Sequence, residues 1–214
     1  MPAEPRIRPA TRDDGAFLGW TIFAAARGHL PRGWFDIILE KPEDYCLDFC
    51  TRLVLAKAVS WWHWSLFRVA EMDGRPVGAA CGFADDAPYR ESAAAMREAA
   101  DGIRMPGSER SQLWPRGSFI MATVTGEDGA WTVENVAVLP GYRGRGVTGA
   151  LLDASCDDAR QAGARRAQIS FLIGNAPAER AYTRAGFVFS EEKRDPGFEA
   201  AMKSPGTKRF TRDL

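Results

Sequence analysis

Between Val133 and Leu152 the chain reads Val-Glu-Asn-Val-Ala-Val-Leu-Pro-Gly-Tyr-Arg-Gly-Arg-Gly-Val-Thr-Gly-Ala-Leu-Leu, and few folds accommodate that order. Val133, Val136 and Val138 spell a strand, Pro140-Gly141 ends it, and the spacing from Val147 onward is helical. A basic, glycine-rich turn joins the two. Gly144 and Gly146 lack a Cβ, so the backbone can bend tightly and aim several N–H groups at one point, beside the positive end of the helix that begins near Val147. Arg143 and Arg145 add two fixed cations suited to phosphate oxygens. The expected guest of such a turn is a pyrophosphate.

The rest of the chain must supply a core and a second wall for that guest. With 214 residues, 45% apolar and seven tryptophans among them, it can bury a sizeable core. Lys+Arg and Asp+Glu balance at 28 each, so no global field recruits nucleic acid or an acidic membrane, and neither is an expected partner. The four cysteines (Cys46, Cys50, Cys81, Cys156) form no CxxC pair and the chain has only two histidines, so they read as buried thiols and no metal site is expected. No run approaches the ~20 apolar residues of a membrane span, and no signal-like segment opens the chain; a cytoplasmic location is the expectation.

Taken in order, Ile7-Arg8 reads as a first strand. Thr11 or Asp13 caps a helix holding Phe17, Leu18, Trp20, Ile22 and Phe23, which Gly28 ends. Residues 34–39 are apolar without a clear period, and residues 43–58 have amphipathic helical spacing. The run Ser60-Trp61-Trp62-His63-Trp64 has two readings, an aromatic wall of an acceptor pocket with His63 as a proton acceptor, or large rings packed into the core; the second is favoured. Residues 66–70 and 76–83 flank Asp73-Gly74 as a hairpin. Residues 84–117 read as an insertion with a helix over 89–100 and turns at 105–108 and 114–117, a lid or a cover for a sheet edge. Residues 119–125 and 130–138 are expected to form a second hairpin, and an apolar parity shift between Val133 and Val136 predicts a β-bulge at Glu134-Asn135. The helix from Val147 should end near Gly163. A strand over 167–173, a helix from Asn175 with Pro177 in its first turn and Gly186 past its end, and strands at 187–190 and 206–210 complete the chain.

Arg143-Gly144-Arg145-Gly146-Val147-Thr148 resembles motif A of the Gcn5-related N-acetyltransferase superfamily: Arg or Gln, two variable residues, Gly, one variable residue, then Gly or Ala. Only the last position departs, where Thr148 keeps its N–H but adds bulk. Asn175 to Phe187, with its Asn, small residue, Tyr182 and terminal Gly-Phe, resembles motif B of the same superfamily. Two motifs in the right order, separated by one strand, are more specific than either alone. The resemblance covers residues 66–210; the insertion has no counterpart in it. It implies an α/β (α+β) fold with a central mixed, mostly antiparallel, splayed sheet flanked by helices. It also implies one acyl-CoA N-acyltransferase domain over 1–214 with the insertion at about 84–117.

By the same resemblance the expected activity is transfer of an acetyl group from acetyl-CoA to a primary amine of a small molecule, with no metal. Coenzyme A would lie along the open edge of Val136, Ala137 and Val138. Its pyrophosphate would fall on Arg143, Gly144, Arg145, Gly146, Val147, Thr148 and Gly149, and Asn175 would touch its pantetheine arm. An alkylammonium must lose a proton before it can attack, and the departing thiolate benefits from gaining one. The resemblance offers Glu134 as the base, directly or through water, and Tyr182 as the acid toward sulfur. Asp85, Asp86 and Glu91 could attract a cationic acceptor. The reading leaves room for a homodimer.

Other classes fit the residues less well. Gly144 to Gly149 is a literal G-x-G-x-x-G, but five residues separate strand from first glycine, and the next strand ends without the acid that a dinucleotide-binding oxidoreductase places on its ribose. No Gly-Lys-[Ser/Thr] follows the loop, which disfavours a nucleoside triphosphatase. A coenzyme A-binding module without catalysis keeps the fold and stays open.

Overall fold

The computed structural model describes residues 4–124 and 126–214. Strand β1 (Arg6–Pro9) leads into helices α1 (Gly15–Arg27), α2 (Trp34–Leu39) and α3 (Glu43–Val54), then into β2 (Phe67–Met72) and β3 (Arg75–Phe83). Four short helices follow: α4 (Ala87–Arg90), α5 (Ser92–Gly102), α6 (Gly107–Arg110) and α7 (Leu113–Gly117). The remainder is β4 (Trp131–Val138), α8 (Val147–Gln161), β5 (Arg166–Leu172), α9 (Ala176–Arg184), β6 (Val188–Arg194), α10 (Pro196–Met202) and β7 (Gly206–Asp213). One seven-stranded sheet runs in the order β1-β2-β3-β4-β5-β7-β6. All its neighbours are antiparallel except β4 and β5. This is the mixed, mostly antiparallel sheet that the resemblance implies.

Local chemistry explains most of these boundaries. The Thr11 N–H donates to Asp14 Oδ2 at 2.7 Å and secures the entry to α1, while Gly28, at φ 57°, stops that helix. Asp73 and Gly74 both have positive φ, 53° and 72°, the geometry of a two-residue hairpin turn. In α3 the periodic residues Cys46, Phe49, Cys50, Leu53 and Val54 are all fully buried. Burial of a side chain the size of Phe49 stabilises the fold by about 2–3 kcal/mol. Helix α1 crosses α3 where Gly19 meets the Thr51 backbone, so close that a Cβ on Gly19 would stand 2.8 Å from Thr51 Cα.

Two apolar layers sandwich the sheet. One packs α1, α2, α3 and α5 against Phe67, Val69, Ala79, Cys81 and Phe83; the other packs α8 and α9 against Ala70, Val77, Val133 and Ile169. The helices of 84–117 extend the first layer. Ala95, Ala99 and Ala100 of α5 are buried, Glu98 accepts the N–H groups of Lys57 and Ala58, and Trp34 Nε1 donates to the Gly117 carbonyl at 3.0 Å. The helix expected over 89–100 is thus present as α4 and α5, and the expected turns at 105–108 and 114–117 are drawn into α6 and α7.

One expectation fails. Ser118–Thr123 is a 3-10 helix rather than the first strand of a hairpin, and Thr125 lies outside the described residues. Strand β4 already has β3 on one side and β5 on the other, so no edge remains for this segment. It packs elsewhere: Phe119 meets Phe198 edge-on at 5.7 Å, and the Thr123 carbonyl accepts a hydrogen bond from Thr207 Oγ1.

The sheet opens at one place. Strands β4 and β5 pair only through Trp131–Ala167, Thr132–Gln168 and Val133–Ile169. Beyond that, β4 stays with β3 (Ala137–Ala79, Val138–Gly78) while β5 continues with β7, and a wedge opens from Glu134 onward. The predicted bulge is here as well. The pairing steps from Cys81–Glu134 to Ala79–Ala137, with Asn135 in the left-handed region at φ 53°.

Candidate active site

Glu134 is the first residue of β4 past the last pair with β5, and it shares a face with Cys81. Its carboxylate accepts a hydrogen bond from the Tyr89 phenol at 2.9 Å and another from the backbone N–H of Asn135. The side chain keeps partial access to solvent, yet protein crowds the carboxylate on most sides. Desolvation therefore raises its pKa to about 7, and the two hydrogen bonds only partly oppose the rise.

Tyr182, on α9, is buried with its ring edge-on to Phe171 at 5.4 Å. Burial pushes its phenol above the ordinary value, and the negative charge of Glu134 pushes it further. Tyr182 thus lies near enough to Glu134 to sense its charge. The Asn175 side chain caps α9, accepting the Ala178 N–H at 3.3 Å, and Pro177 occupies the first turn as expected.

At the mouth of the wedge the turn before α8 has Gly144 and Gly146 at φ 75° and 80°, in open space with no atom within 4 Å of a hypothetical Cβ. Among the described residues, the N–H groups of Gly144, Arg145 and Gly146 have no hydrogen-bond acceptor in the protein. Helix α8 is 15 residues long, enough to develop a positive N-terminal end. Val147 is buried against Gly78 and pins that end to β3. Arg143 Nε donates to the Val138 carbonyl at 3.2 Å, tethering the turn to the end of β4, while the guanidinium of Arg145 rests over the Tyr142 ring at 5.2 Å. Unpaired amides, two arginines and a helix terminus beside an open strand edge fit a pyrophosphate-bearing ligand.

Several sequence candidates fall elsewhere. His63 is buried with Nδ1 engaged by Ser65 Oγ at 2.7 Å, and burial disfavours its charged form. Trp62 stacks on Trp34 at 6.2 Å and meets Phe35, in the core. Asp85, Asp86 and Glu91 are exposed, and Asp85 is spent on the Ala87 N–H. Tyr89, which sequence reasoning did not offer as a site residue, does reach the site, and so does Trp61 of the aromatic run. Tyr89 arrives from α4, and the Trp61 carbonyl accepts from Asn135 Nδ2 at 3.4 Å and from the Cys81 thiol at 3.2 Å. The only hint of Tyr89 in the sequence is one aromatic residue in a stretch rich in Ala, Glu and Arg. Among the described residues no helix is long and apolar enough to cross a membrane, and no cluster of His, Cys, Asp and Glu could hold a metal ion.

A mixed sheet of this kind, with helices on both faces, is a fold shared with solved acetyltransferases. A solved acetyltransferase superposes with a TM-score of 0.69 at 18% identity, over 98% of this chain and 99% of its own. The protein yncA from Salmonella typhimurium, solved with its cofactor acetyl-CoA, gives 0.54 at 17% identity over 99% and 95%. At those identities the likeness concerns the fold alone. Residues 33–187 match the model of the Acetyltransferase (GNAT) family, well over half of the chain, and the chain belongs to that family. Streptothricin acetyltransferase of Streptomyces lavendulae is 41% identical over 58 residues, 27% of this chain and 31% of the relative, so the match spans under a third of that protein's length.

Proposed function

We propose that the chain is an acetyl-CoA-dependent N-acetyltransferase acting on a primary amine of a small molecule, with Glu134 as base and Tyr182 as acid. The observation that carries this reading is the opening of the sheet at Glu134, the first residue of β4 past its last pair with β5. Glu134, with a pKa of about 7, stands where β4 and β5 part, close enough that its charge acts on Tyr182. Membership of the acetyltransferase family supports it, as does the acetyl-CoA held by a protein of the same fold.

Bound along β4, acetyl-CoA would supply a thioester carbonyl open to attack. The amides of residues 144–149, with Arg143 and Arg145, would hold its diphosphate, and Asn175 would meet its arm while capping α9. A carboxyl with a pKa near 7 is about half ionised at neutral pH, basic enough to draw a proton from an ammonium and acidic enough to release it afterwards. The two residues are coupled. Once Glu134 has taken the amine proton it no longer carries the charge that holds Tyr182's proton in place, so the phenol becomes a better donor as the C–N bond forms and the C–S bond breaks. The proton balance closes over a turnover: the ammonium nitrogen gives up two protons on its way to the amide, one taken by Glu134 and released to solvent afterwards, the other replacing the proton that Tyr182 passes to sulfur.

The test is thiol release from acetyl-CoA over a panel of primary amines, streptothricin included, with coenzyme A affinity measured alongside. Glu134→Gln and Tyr182→Phe should each lower kcat by about 10²-fold or more, the scale of general acid–base assistance, while coenzyme A still binds. Tight binding with no amine-dependent thiol release would instead favour a binding module.

A further inference from the structure

We propose that Tyr89, carried by the helical segment between β3 and β4, is a positioning residue for Glu134, holding and orienting its carboxylate at the point where β4 and β5 part. The inference rests on the reading of Glu134 as the base, and it makes residues 84–117 part of the catalytic apparatus as well as a cover for the core.

The contact is built. The Tyr89 O–H donates to Glu134 Oε1 at 2.9 Å across 45 positions of sequence. Its ring packs against Phe83, edge-on at 5.1 Å, and Trp61 at 5.5 Å, with the residue 37% exposed. Trp61 is itself tied to the segment on both sides of the tyrosine: its backbone N–H donates to the Pro88 carbonyl at 3.1 Å, and its indole N–H to Ser92 Oγ at 3.1 Å. The Trp61 carbonyl then accepts from Asn135, the bulge residue next to Glu134. A closed circuit of contacts therefore runs from the segment through Trp61 to the bulge and back through the phenol, leaving the carboxylate little freedom to swing.

A phenol suits this task better than a cation. An arginine at the same place would lock the carboxylate in its charged form, whereas a neutral donor favours the ionised state modestly and leaves a lone pair free for the amine proton. Around Glu134, the ionisable groups that sense its charge are Cys81 on β3, Tyr89 on α4 and Tyr182 on α9. Arg27, the one ionisable residue of α1, is taken up by Asp36 and Glu43. Arg166 of β5 pairs with Glu127 and Asp213, and on α8 Asp153, Asp157 and Asp158 pair with Arg212, Arg160 and Arg68. Burial is what chiefly raises the pKa of Glu134, and Tyr89 is the side-chain donor that opposes it.

Tyr89→Phe keeps the ring between Trp61 and Phe83 and removes only the donor. The first measurement needs no turnover: a carbon-13 carboxyl titration of the free protein, with the Glu134 resonance assigned by its loss in Glu134→Gln. Glu134 should titrate about one pH unit higher in Tyr89→Phe than in the wild type, the scale of one charge-assisted hydrogen bond. Ser92→Ala, which loosens Trp61 without touching the carboxylate, should leave that titration in place. The acid limb of kcat/KM should then move upward with the resonance. An unmoved titration in Tyr89→Phe, or an equal displacement in Ser92→Ala, overturns the proposal. A displaced titration with an unmoved rate limb upholds the grip of Tyr89 on the carboxylate and refutes Glu134 as the base.

Discussion

Glu134→Gln should stabilise the free protein at pH 8 and leave its stability nearly unchanged at pH 4. In the unfolded chain this carboxyl loses its proton near the ordinary value of 4.5; in the native protein desolvation holds the proton on until about 7. Between those two pH values the native state binds more protons than the unfolded one, so stability falls as pH rises through the window, and the full cost is present above 7. At about 1.36 kcal/mol per pH unit the ceiling is about 3.4 kcal/mol. Partial solvent access screens the charge and brings the expected figure to about 1–2 kcal/mol. Glutamine keeps the shape and still accepts from Tyr89, but has no charge to desolvate. In a chain of this size that gain corresponds to about 2–8 °C in Tm. Calorimetric melts of both proteins without ligand, at pH 4 and pH 8, measure it, because every other acid effect cancels in the difference. An offset that is the same at both pH values, or a wild type more stable at pH 8, would mean that Tyr89 and the Asn135 amide fully compensate for burial, and the argument for a base poised near neutrality would fail.

Two further outcomes follow from the geometry. Gly146→Ala places a Cβ at φ 80° in open space, so it meets no neighbour but strains the backbone by about 1–2 kcal/mol. A turn that relaxes away from this conformation misaligns its amides, and titration calorimetry should show coenzyme A binding about tenfold weaker; an unchanged Kd in a folded variant counts against this turn as the diphosphate site. Gly19→Ala sets a Cβ 2.8 Å from Thr51 Cα and must push α1 away from α3. Overpacking of that kind costs about 1–3 kcal/mol, and a urea midpoint equal to the wild type's would show that the helices can part freely.

The parts of the site legible in the chain are those with a local physical cause. The turn at Gly144–Gly146 was readable because positive φ and close anion approach both demand glycine, and the helix start follows directly. The bulge at Asn135 showed itself as a break in apolar parity, since one extra residue flips every later side chain to the other face. Pro177 and Gly186 marked the limits of α9 by fixed and positive φ respectively. The segment 118–123 was misread because its apolar residues suit a strand and only the occupancy of both edges of β4 forbids one.

The order of residues by itself determined that a bulged strand, an anion-ready turn and a helix would follow one another, because propensity, parity and backbone sterics act over a few positions at a time; Glu134 and Tyr182 were singled out by the resemblance alone. Only the tertiary structure decided that β5 leaves β4 after Val133 and that Tyr89 returns across 45 residues to hold Glu134. Strand pairing and burial are settled by what else competes for the same edge and the same space. The raised pKa of Glu134 belongs to that second class, since desolvation is a property of the surroundings and not of the residue.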